Sequence, residues 1–477
     1  MGEIPPVTLR EDGAHMTSRA SEQRPASNEP RHARALRVVD LFAGAGGLSQ
    51  GFRQAGFDVV AGSDFDPDAM ATYSTNFRDA APVVGDIRDE DIRARILDAA
   101  SGVDVVVGGP PCQAYSQVRN HARIIDDPRN SLYREFVRIV GEVKPRAFLM
   151  ENVPGMAQMG VREQVQQDLS LEGEYLVLPQ LVDAADFGVP QTRKRLLFIG
   201  VRRDLNLDPP TLAGTGVTTL IQLARRTDNP TRYLLQAREQ LGVDLGAALA
   251  DPFDSTAVTA YQAISDLADL APGRREDVLE YELPEADSSY QKLMRSHDLS
   301  SSGLTNVSVP RVRADTVMRL EAIPAGGNHR DLPEELLERY LTGEKWGPHN
   351  GSGRISRRHF YAYRRLHPDI WAWTLNTKAD SVYHYSAHRC LSVREFARLQ
   401  SFPDHFQFTT DQRRGLIPGR MDGGAAHSKY RQVGNAVPPL LAYAAAQAMS
   451  SRLLESATGD TPSDRQSSRK RRAKQTS

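Results

Sequence analysis

The chain has 477 residues, with 59 Lys and Arg against 60 Asp and Glu, so its formal charge is −1. At roughly 100–200 residues per domain this length implies two or three domains, and 40% hydrophobic with 25% charged residues excludes a disordered or collagen-like chain. No apolar run approaches the roughly 18–20 residues of a membrane span, the start carries no signal-peptide core, and two cysteines exclude a disulfide framework or a four-cysteine metal site.

A reducing, cytoplasmic setting fits this composition, and no metal is expected. The balanced charge argues against a nucleic-acid partner unless positive charge is concentrated locally. Residues 1–35, rich in Arg, Glu, Ser and Pro, read as a disordered arm, with Met16 as an alternative start. A strand at Val38–Leu41 runs into a glycine turn, and Leu48–Ala55 has helical spacing. Val59–Ala61 is the next strand, followed by a helix opening at Pro67, a favoured first-turn residue. Val103–Val107 and Ala147–Met150 are continuous apolar runs, as expected of strands buried on both faces. A helix over Leu132–Val140 lies between them, and a strand at Leu196–Val201 closes the series. Strands alternating with helices imply an α/β fold with a mostly parallel, doubly wound sheet.

From about Arg203 to Ala387 the rhythm breaks, with Pro-Gly interruptions and short helices such as Pro333–Leu341. This stretch reads as an irregular second domain or a large insertion. Helices then return at Ser392–Leu399 and Leu440–Met449, and the tail ends in the basic run Arg469–Lys474. A terminal charge run is a solvated tail or a non-specific nucleic-acid contact.

The chemistry-bearing residues cluster at predicted strand ends. Asp40-Leu41-Phe42-Ala43-Gly44-Ala45-Gly46-Gly47 follows the first strand, and Asp64 ends the second, where a carboxylate is placed to bind a ribose diol. The pair fits a dinucleotide or any adenosine-containing cofactor, or simply a tight turn, and the glycine spacing disfavours a pyrophosphate site. Gly85-Asp86-Ile87 adds a carboxylate at the same edge, suited to an adenine amino group or to a helix cap. Gly108-Gly109-Pro110-Pro111-Cys112-Gln113 follows the Val103 strand. A thiol in a stiff Gly/Pro loop at a strand end points to a nucleophile rather than a core residue. Glu151-Asn152-Val153-Pro154 ends the neighbouring strand, so its carboxyl is either held protonated as an acid or paired with Arg146 or Arg195. Gln191-Thr192-Arg193-Lys194-Arg195 places a positive fork beside the last strand.

Taken in order, these segments, with Arg389–Pro403 and Gln432-Val433-Gly434-Asn435-Ala436-Val437-Pro438-Pro439, resemble the DNA (cytosine-5)-methyltransferase family across nearly the whole folded chain. Departures are small: Tyr115 stands where Phe is commoner, and Asp64 where Glu is frequent. The resemblance implies a Rossmann-like, S-adenosylmethionine-dependent methyltransferase sheet with an irregular target-recognition domain inserted before the C-terminal helix. It implies a disordered arm at 1–35, a catalytic and cofactor-binding part at 36–203, and recognition at 204–425. A second catalytic part at 426–454 and a disordered tail at 455–477 complete the division. S-adenosyl-L-methionine would contact Phe42, Gly44, Gly46, Asp64, Phe65, Asp86, Ile87, Pro110 and Asn435. Cys112, Glu151, Arg193 and Arg195 would carry the chemistry on a cytosine flipped out of the duplex. Gln113, Ser116 and Arg119 would contact DNA from a closing loop, and Arg354, Arg357 and Arg358 from a basic, aromatic stretch of the insert.

The expected partner is double-stranded DNA, bound by a monomer in the prokaryotic nucleoid. Restriction-modification type makes a nearby-encoded cognate endonuclease a further candidate partner. Two other readings are an RNA cytosine-5 methyltransferase and an inactive DNA-binding regulator. The chain lacks the Cys-Phe-Thr motif typical of the first, and intact Cys112, Glu151 and Arg195 argue against the second.

Overall fold

The computed structural model describes residues 34–111, 131–158, 161–215, 232, 257–280, 283–300, 302–333, 335–336, 363–416 and 424–458. All elements below belong to the unit Ala35–Ser477. Seven strands form one sheet: β1 (Arg37–Leu41), β2 (Asp58–Asp64), β3 (Ala81–Val84), β4 (Val105–Gly108), β5 (Ala147–Asn152), β6 (Tyr175–Asp183) and β7 (Lys194–Arg202), in the order β3-β2-β1-β4-β5-β7-β6. The β1–β5 pairings are parallel, and β7 runs antiparallel to both β5 and β6. The strand order reverses between β1 and β4, so their carboxyl ends diverge and open a crevice.

Adjacent residues along a strand enter different cores, because side chains alternate across a sheet. Val38, Val105 and Leu149 belong to one apolar cluster, and Val39, Val106 and Phe148 to the other. Helix α1 (Gly47–Gln54) and α2 (Pro67–Asn76) pack into the first cluster. Helices α3 (Glu90–Ala99), α4 (Ser131–Val143) and α6 (Arg162–Leu169) pack into the second, with the short α5 (Gly155–Gln158) between the last two. Pro67 sits at the first position of α2, where the Asp66 side chain accepts the Asp68 N–H at 3.1 Å.

The sequence reading passed over β6. Its centre holds Pro179, which has no N–H to donate and reads as a strand breaker. The structure tolerates it because β6 is the sheet's edge strand.

The described part of the insert carries α7 (Ala260–Ile264), the two-residue pair β8 (Val278–Leu279) and β9 (Leu304–Thr305), α8 (Ser289–Met294) and α9 (Ala314–Ala322). It has two small cores, one around Leu267, Leu304 and Val309, the other around Leu320, Tyr383 and Cys390. The predicted Pro333–Leu341 helix lies largely outside the described residues.

After the insert, α10 (Val393–Leu399), α11 (Ala425–Asn435) and α12 (Pro439–Thr458) return to the first cluster through Phe396, Val433 and Leu441. Helix α12 lies so close to α1 that a Cβ on Gly51 would stand 2.4 Å from the Pro439 carbonyl oxygen, and one on Gly47 2.1 Å from that of Val437. Bare glycines are what permit this contact. Among the described residues no helix is long and apolar enough to cross a membrane.

Candidate active site

The first half of the site is the loop from β1 to α1. Phe42, Gly44 and Gly46 all have positive φ, at 56°, 56° and 97°, so the backbone winds back on itself over the strand end. The Gly44 N–H donates to Asp64 Oδ2 and the Asp66 N–H to Asp64 Oδ1, each at 2.9 Å, which fixes the β2 carboxylate against the turn. Burial nevertheless pushes the Asp64 carboxyl above its ordinary value. Beside it Phe65 is 69% exposed, an aromatic face left uncovered at the mouth of the crevice. Ile87 is buried. The Asp86 carboxylate, expected at an adenine edge, is instead held by Arg88, whose Nε donates to Oδ1 at 2.9 Å. That hydrogen bond keeps the carboxyl below its usual range. The pair is exposed, where such bonds contribute little, so a ligand amino group can displace Arg88.

Asp40 lies beneath this turn, fully buried. Its Oδ2 accepts the Ser49 N–H at 3.1 Å and the Ser49 hydroxyl at 2.7 Å, tying β1 to α1. Oδ1 is buried without a hydrogen-bond partner among the described residues. Burial pushes this carboxyl up to about 7. A carboxyl raised in the fold binds its proton more tightly there than in the unfolded chain, so its stabilising contribution is full below about pH 4 and lost as pH rises through about 7. Asp40→Asn, which keeps an oxygen for Ser49 and cannot ionise, is expected to flatten this decline. Chemical denaturation of both proteins between about pH 5 and 8 checks it; parallel slopes would refute the assignment.

The second half of the site is the junction of β4 and β5. The Gly109 N–H donates to the Leu41 carbonyl at 3.3 Å, and the Asn152 amide donates to the Pro110 carbonyl at 3.1 Å. The loop leading to Cys112 is thus held from β1 and from β5. Glu151 and Arg195 form an ion pair, each nearly buried. Of the two alternatives for Glu151, the structure therefore shows the ion pair, and with Arg195. Arg146 points elsewhere, donating to the Leu453 carbonyl at 2.7 Å. Glu151 Oε2 is 3.0 Å from where a Cβ on Gly109 would stand, so the carboxyl packs tightly against this loop.

Arg193 has a different position from the one expected of a group acting on the base. Its guanidinium is buried and donates to the carbonyls of Leu375 at 3.2 Å and Gly434 at 2.7 Å. Burial, with Arg195 near, pushes it well below its ordinary value. Gln191 acts with it. Its amide donates to the Leu399 carbonyl at 2.9 Å and to Gln400, while the Leu375 N–H donates to its oxygen at 3.1 Å. Gln400 in turn donates to the Ala436 carbonyl at 2.6 Å. Gly434 closes the latch, since a Cβ there would meet the Asn376 carbonyl oxygen at 2.1 Å. Asn435, at the end of α11, is exposed.

Phe42, Gly44, Gly46, Asp64, Phe65, Asp86, Ile87, Pro110, Glu151, Arg193, Arg195 and Asn435 are thus all described. Cys112, Gln113, Ser116, Arg119, Arg354, Arg357 and Arg358 lie outside the described residues. Sequence reasoning missed the anchoring roles of Asn152 and Gln400. The signal for Asn152 was its place directly after a buried strand, beside the Gly/Pro loop. Nothing local marked Gln400.

The family profile described as C-5 cytosine-specific DNA methylase matches residues 36–451. The type II methyltransferase M.AgeI of Thalassovita gelatinovora is 31% identical over 460 residues, covering 86% of this chain and 98% of its own. The type II methyltransferase M.DdeI of Desulfomicrobium norvegicum is also 31% identical, covering 87% of this chain and 88% of its own. A solved structure described as a DNA modification methyltransferase encoded within an E. coli prophage superposes with a TM-score of 0.54 at 27% identity, over 88% of this chain and 99% of its own.

Proposed function

The chain belongs to the C-5 cytosine-specific DNA methylase family, and on that premise we propose how its residues methylate a cytosine flipped out of duplex DNA. It is a DNA (cytosine-5-)-methyltransferase of the type II restriction-modification kind. The observation that carries the proposal is the Glu151–Arg195 pair set against the Gly109–Pro111 loop at the carboxyl ends of β4 and β5.

S-adenosylmethionine is the methyl donor of this reading. The residues present fit it: an uncovered Phe65 for the adenine, Asp64 at the end of β2 for the ribose, and a turn whose Gly44 leaves open space where a side chain would stand. Phe42, Ile87 and Asp86 complete the adenine side, and Gly46, Pro110 and Asn435 the methionine side. When bound, the donor supplies an electrophilic methyl group on a sulfonium sulfur. Stacking on an aromatic contributes about 1–3 kcal/mol per base, so Phe65→Ala is expected to weaken donor binding about tenfold. Calorimetry with S-adenosylmethionine measures this, and unchanged affinity would remove Phe65 from the site.

Carbon 5 of cytosine is a poor nucleophile until electrons are pushed into the ring. The Cys112 thiolate adds to carbon 6, forming a C–S bond while a proton is held at N3 by Glu151. Arg195 hydrogen-bonds the base O2 and stabilises the charge that develops there. Carbon 5 would then accept the methyl group as the donor's S–CH3 bond breaks, leaving it as a neutral thioether; a base removes the carbon 5 proton, and expulsion of the Cys112 sulfur restores the ring. In this scheme Glu151 exchanges part of its contact with Arg195 for the base, and Arg193 acts as a positioning residue through Leu375 and Gly434.

The proposed division keeps 36–203 and 426–454 as the catalytic parts. Phe396, Leu399 and Phe402 lie in the sheet-side core, as do Ala260, Tyr290 and Leu366 of the recognition block, so the two parts share one core. The test is labelled-methyl transfer from S-adenosylmethionine to duplex DNA, with the product base identified. Methyl found on N4 or N6, or transfer to RNA in preference to DNA, would overturn the reading.

A further inference from the structure

Helices α1 and α2 start at the carboxyl edge of the sheet and run back across it, so their last turns lie at the edge opposite the site described above. There they border a solvent-open pocket of about 540 Å³, which His297, His405 and Gln407 also line. The lining holds two guanidiniums (Arg53 and Arg78), two imidazoles and four side-chain amides, with Thr75 and no carboxylate. In a chain with a formal charge of −1, that concentration of donors stands out.

Arg53 is pre-set. It donates to the Asn76 carbonyl at 2.7 Å and to Gln50 at 2.5 Å, and its guanidinium lies 4.5 Å over the Phe77 ring. The two imidazoles are in contact, centroids 3.8 Å apart with their planes tilted by 44°, and Nδ1 of His405 is buried with no hydrogen-bond partner among the described residues. The acid nearest His405, Asp404, is already taken by Arg398 at 2.8 and 2.7 Å, and Asp79 lies beside Arg53. Burial, then His297, Arg53 and Arg394, lower His405 to about 4. The lining therefore gathers donors and carries no carboxylate, and burial beside cationic groups keeps the His405 imidazole neutral.

We propose that this cavity binds a phosphate group at a site separate from the methyl-transfer centre. A phosphate offers acceptor oxygens alone, in a geometry that guanidinium forks match bidentately, and the volume exceeds what a single carboxylate fills. Its source is either a free phosphate-bearing small molecule or a backbone phosphate of DNA beyond the target sequence; the second source rests on the duplex-binding reading above, the first does not. A bound phosphate would favour the protonated form of His405 against the nearby Arg53 and Arg394, with Asp404 already held by Arg398. Binding should therefore strengthen as pH falls.

The experiment uses the full chain and two variants, Arg78→Ser and His405→Gln, neither altering the methyl-transfer centre. Calorimetry with inorganic pyrophosphate is expected to show saturable binding about tenfold tighter at about pH 6 than at about pH 8, weakened about tenfold in both variants. That result assigns the free-ligand source. Binding is also measured to duplexes of about 14 and about 40 base pairs centred on the methylated site. Weaker binding of the variants to the long duplex alone, at elevated salt slope in the wild type, assigns the backbone source. Wild-type and variant behaviour that is the same with pyrophosphate and with both duplexes would overturn the proposal. So would loss of methyl transfer to the short duplex by folded Arg78→Ser, because the cavity would then belong to the methyl-transfer centre.

Discussion

Cys112→Ser is expected to lower methyl transfer by on the order of 10⁴-fold or more while leaving S-adenosylmethionine and DNA binding nearly unchanged. The argument is one of nucleophile strength. An unperturbed thiol is already about a few per cent ionised at neutral pH, whereas a serine hydroxyl is not ionised measurably. Without addition at carbon 6 there is no enamine, and carbon 5 has no electron pair to offer. The loop that carries residue 112 is held by Leu41 and Asn152 through backbone carbonyls and amides, which the substitution does not touch. The change is therefore expected in the rate and not in folding or affinity. Single-turnover transfer of a labelled methyl group measures the first, and gel shift and calorimetry the second. On DNA with 5-fluorocytosine at the target, the wild type should accumulate a covalent complex, since the fluorine at carbon 5 cannot leave as a proton does. Cys112→Ser should form none. Transfer by the variant at the wild-type rate, or an adduct formed without Cys112, would refute the proposed mechanism.

The second large effect is on stability. Arg398, fully buried on α10, donates to Asp266 at 2.6 and 2.8 Å and to Asp404 at 2.8 and 2.7 Å. Those two carboxylates hold the guanidinium above its ordinary value against the penalty of burial. Arg389 pairs with Glu395 at 2.8 and 2.9 Å in the same way, and Arg394 donates to the carbonyls of Pro403 and Phe406. Removing one partner of a buried pair leaves an uncompensated charge, which costs about 3–5 kcal/mol. Arg398→Met is expected to destabilise by that amount. Asp266 retains Arg295 as a partner, which limits its share of the loss. Combining Arg398→Met with Asp404→Leu should recover a large part of it. Urea denaturation of the single and double variants checks this coupling. Additive losses, or a single-variant effect below about 1 kcal/mol, would show that the pair does not hold α10 in place.

The same residues show where local information ends. Asp40–Gly47, Asp64 and the Gly/Pro loop before Cys112 were legible because turn chemistry is local: positive φ favours glycine, as at Gly44 and Gly46, and a parallel sheet delivers its strand ends to one edge. The strands β1, β2, β4 and β5 and the helices α1, α2, α4, α10 and α12 follow from apolar periodicity for the same reason. The order of those segments along the chain was enough to point to the reaction class. Periodicity did not find β6, because whether Pro179 breaks a strand depends on its being at the sheet's edge.

Side-chain partnership across long separations was decided only by the tertiary structure. The sequence left Glu151 open between a protonated acid and an ion pair, and packing β5 beside β7 brought Arg195 to it. Arg193 looked like part of a catalytic fork; the return of residues 375 and 434 turned it into a clasp between distant segments. Arg389, Arg394 and Arg398, in and just before the helix expected over Ser392–Leu399, are fully buried, which no local pattern signals. The cationic cavity joins the ends of α1 and α2 to residues 297 and 405, more than 200 positions away. A local pattern specifies backbone conformation because its energy is settled within a few residues. The fate of a charge depends on what the folded chain brings against it, and only the folded chain contains that information.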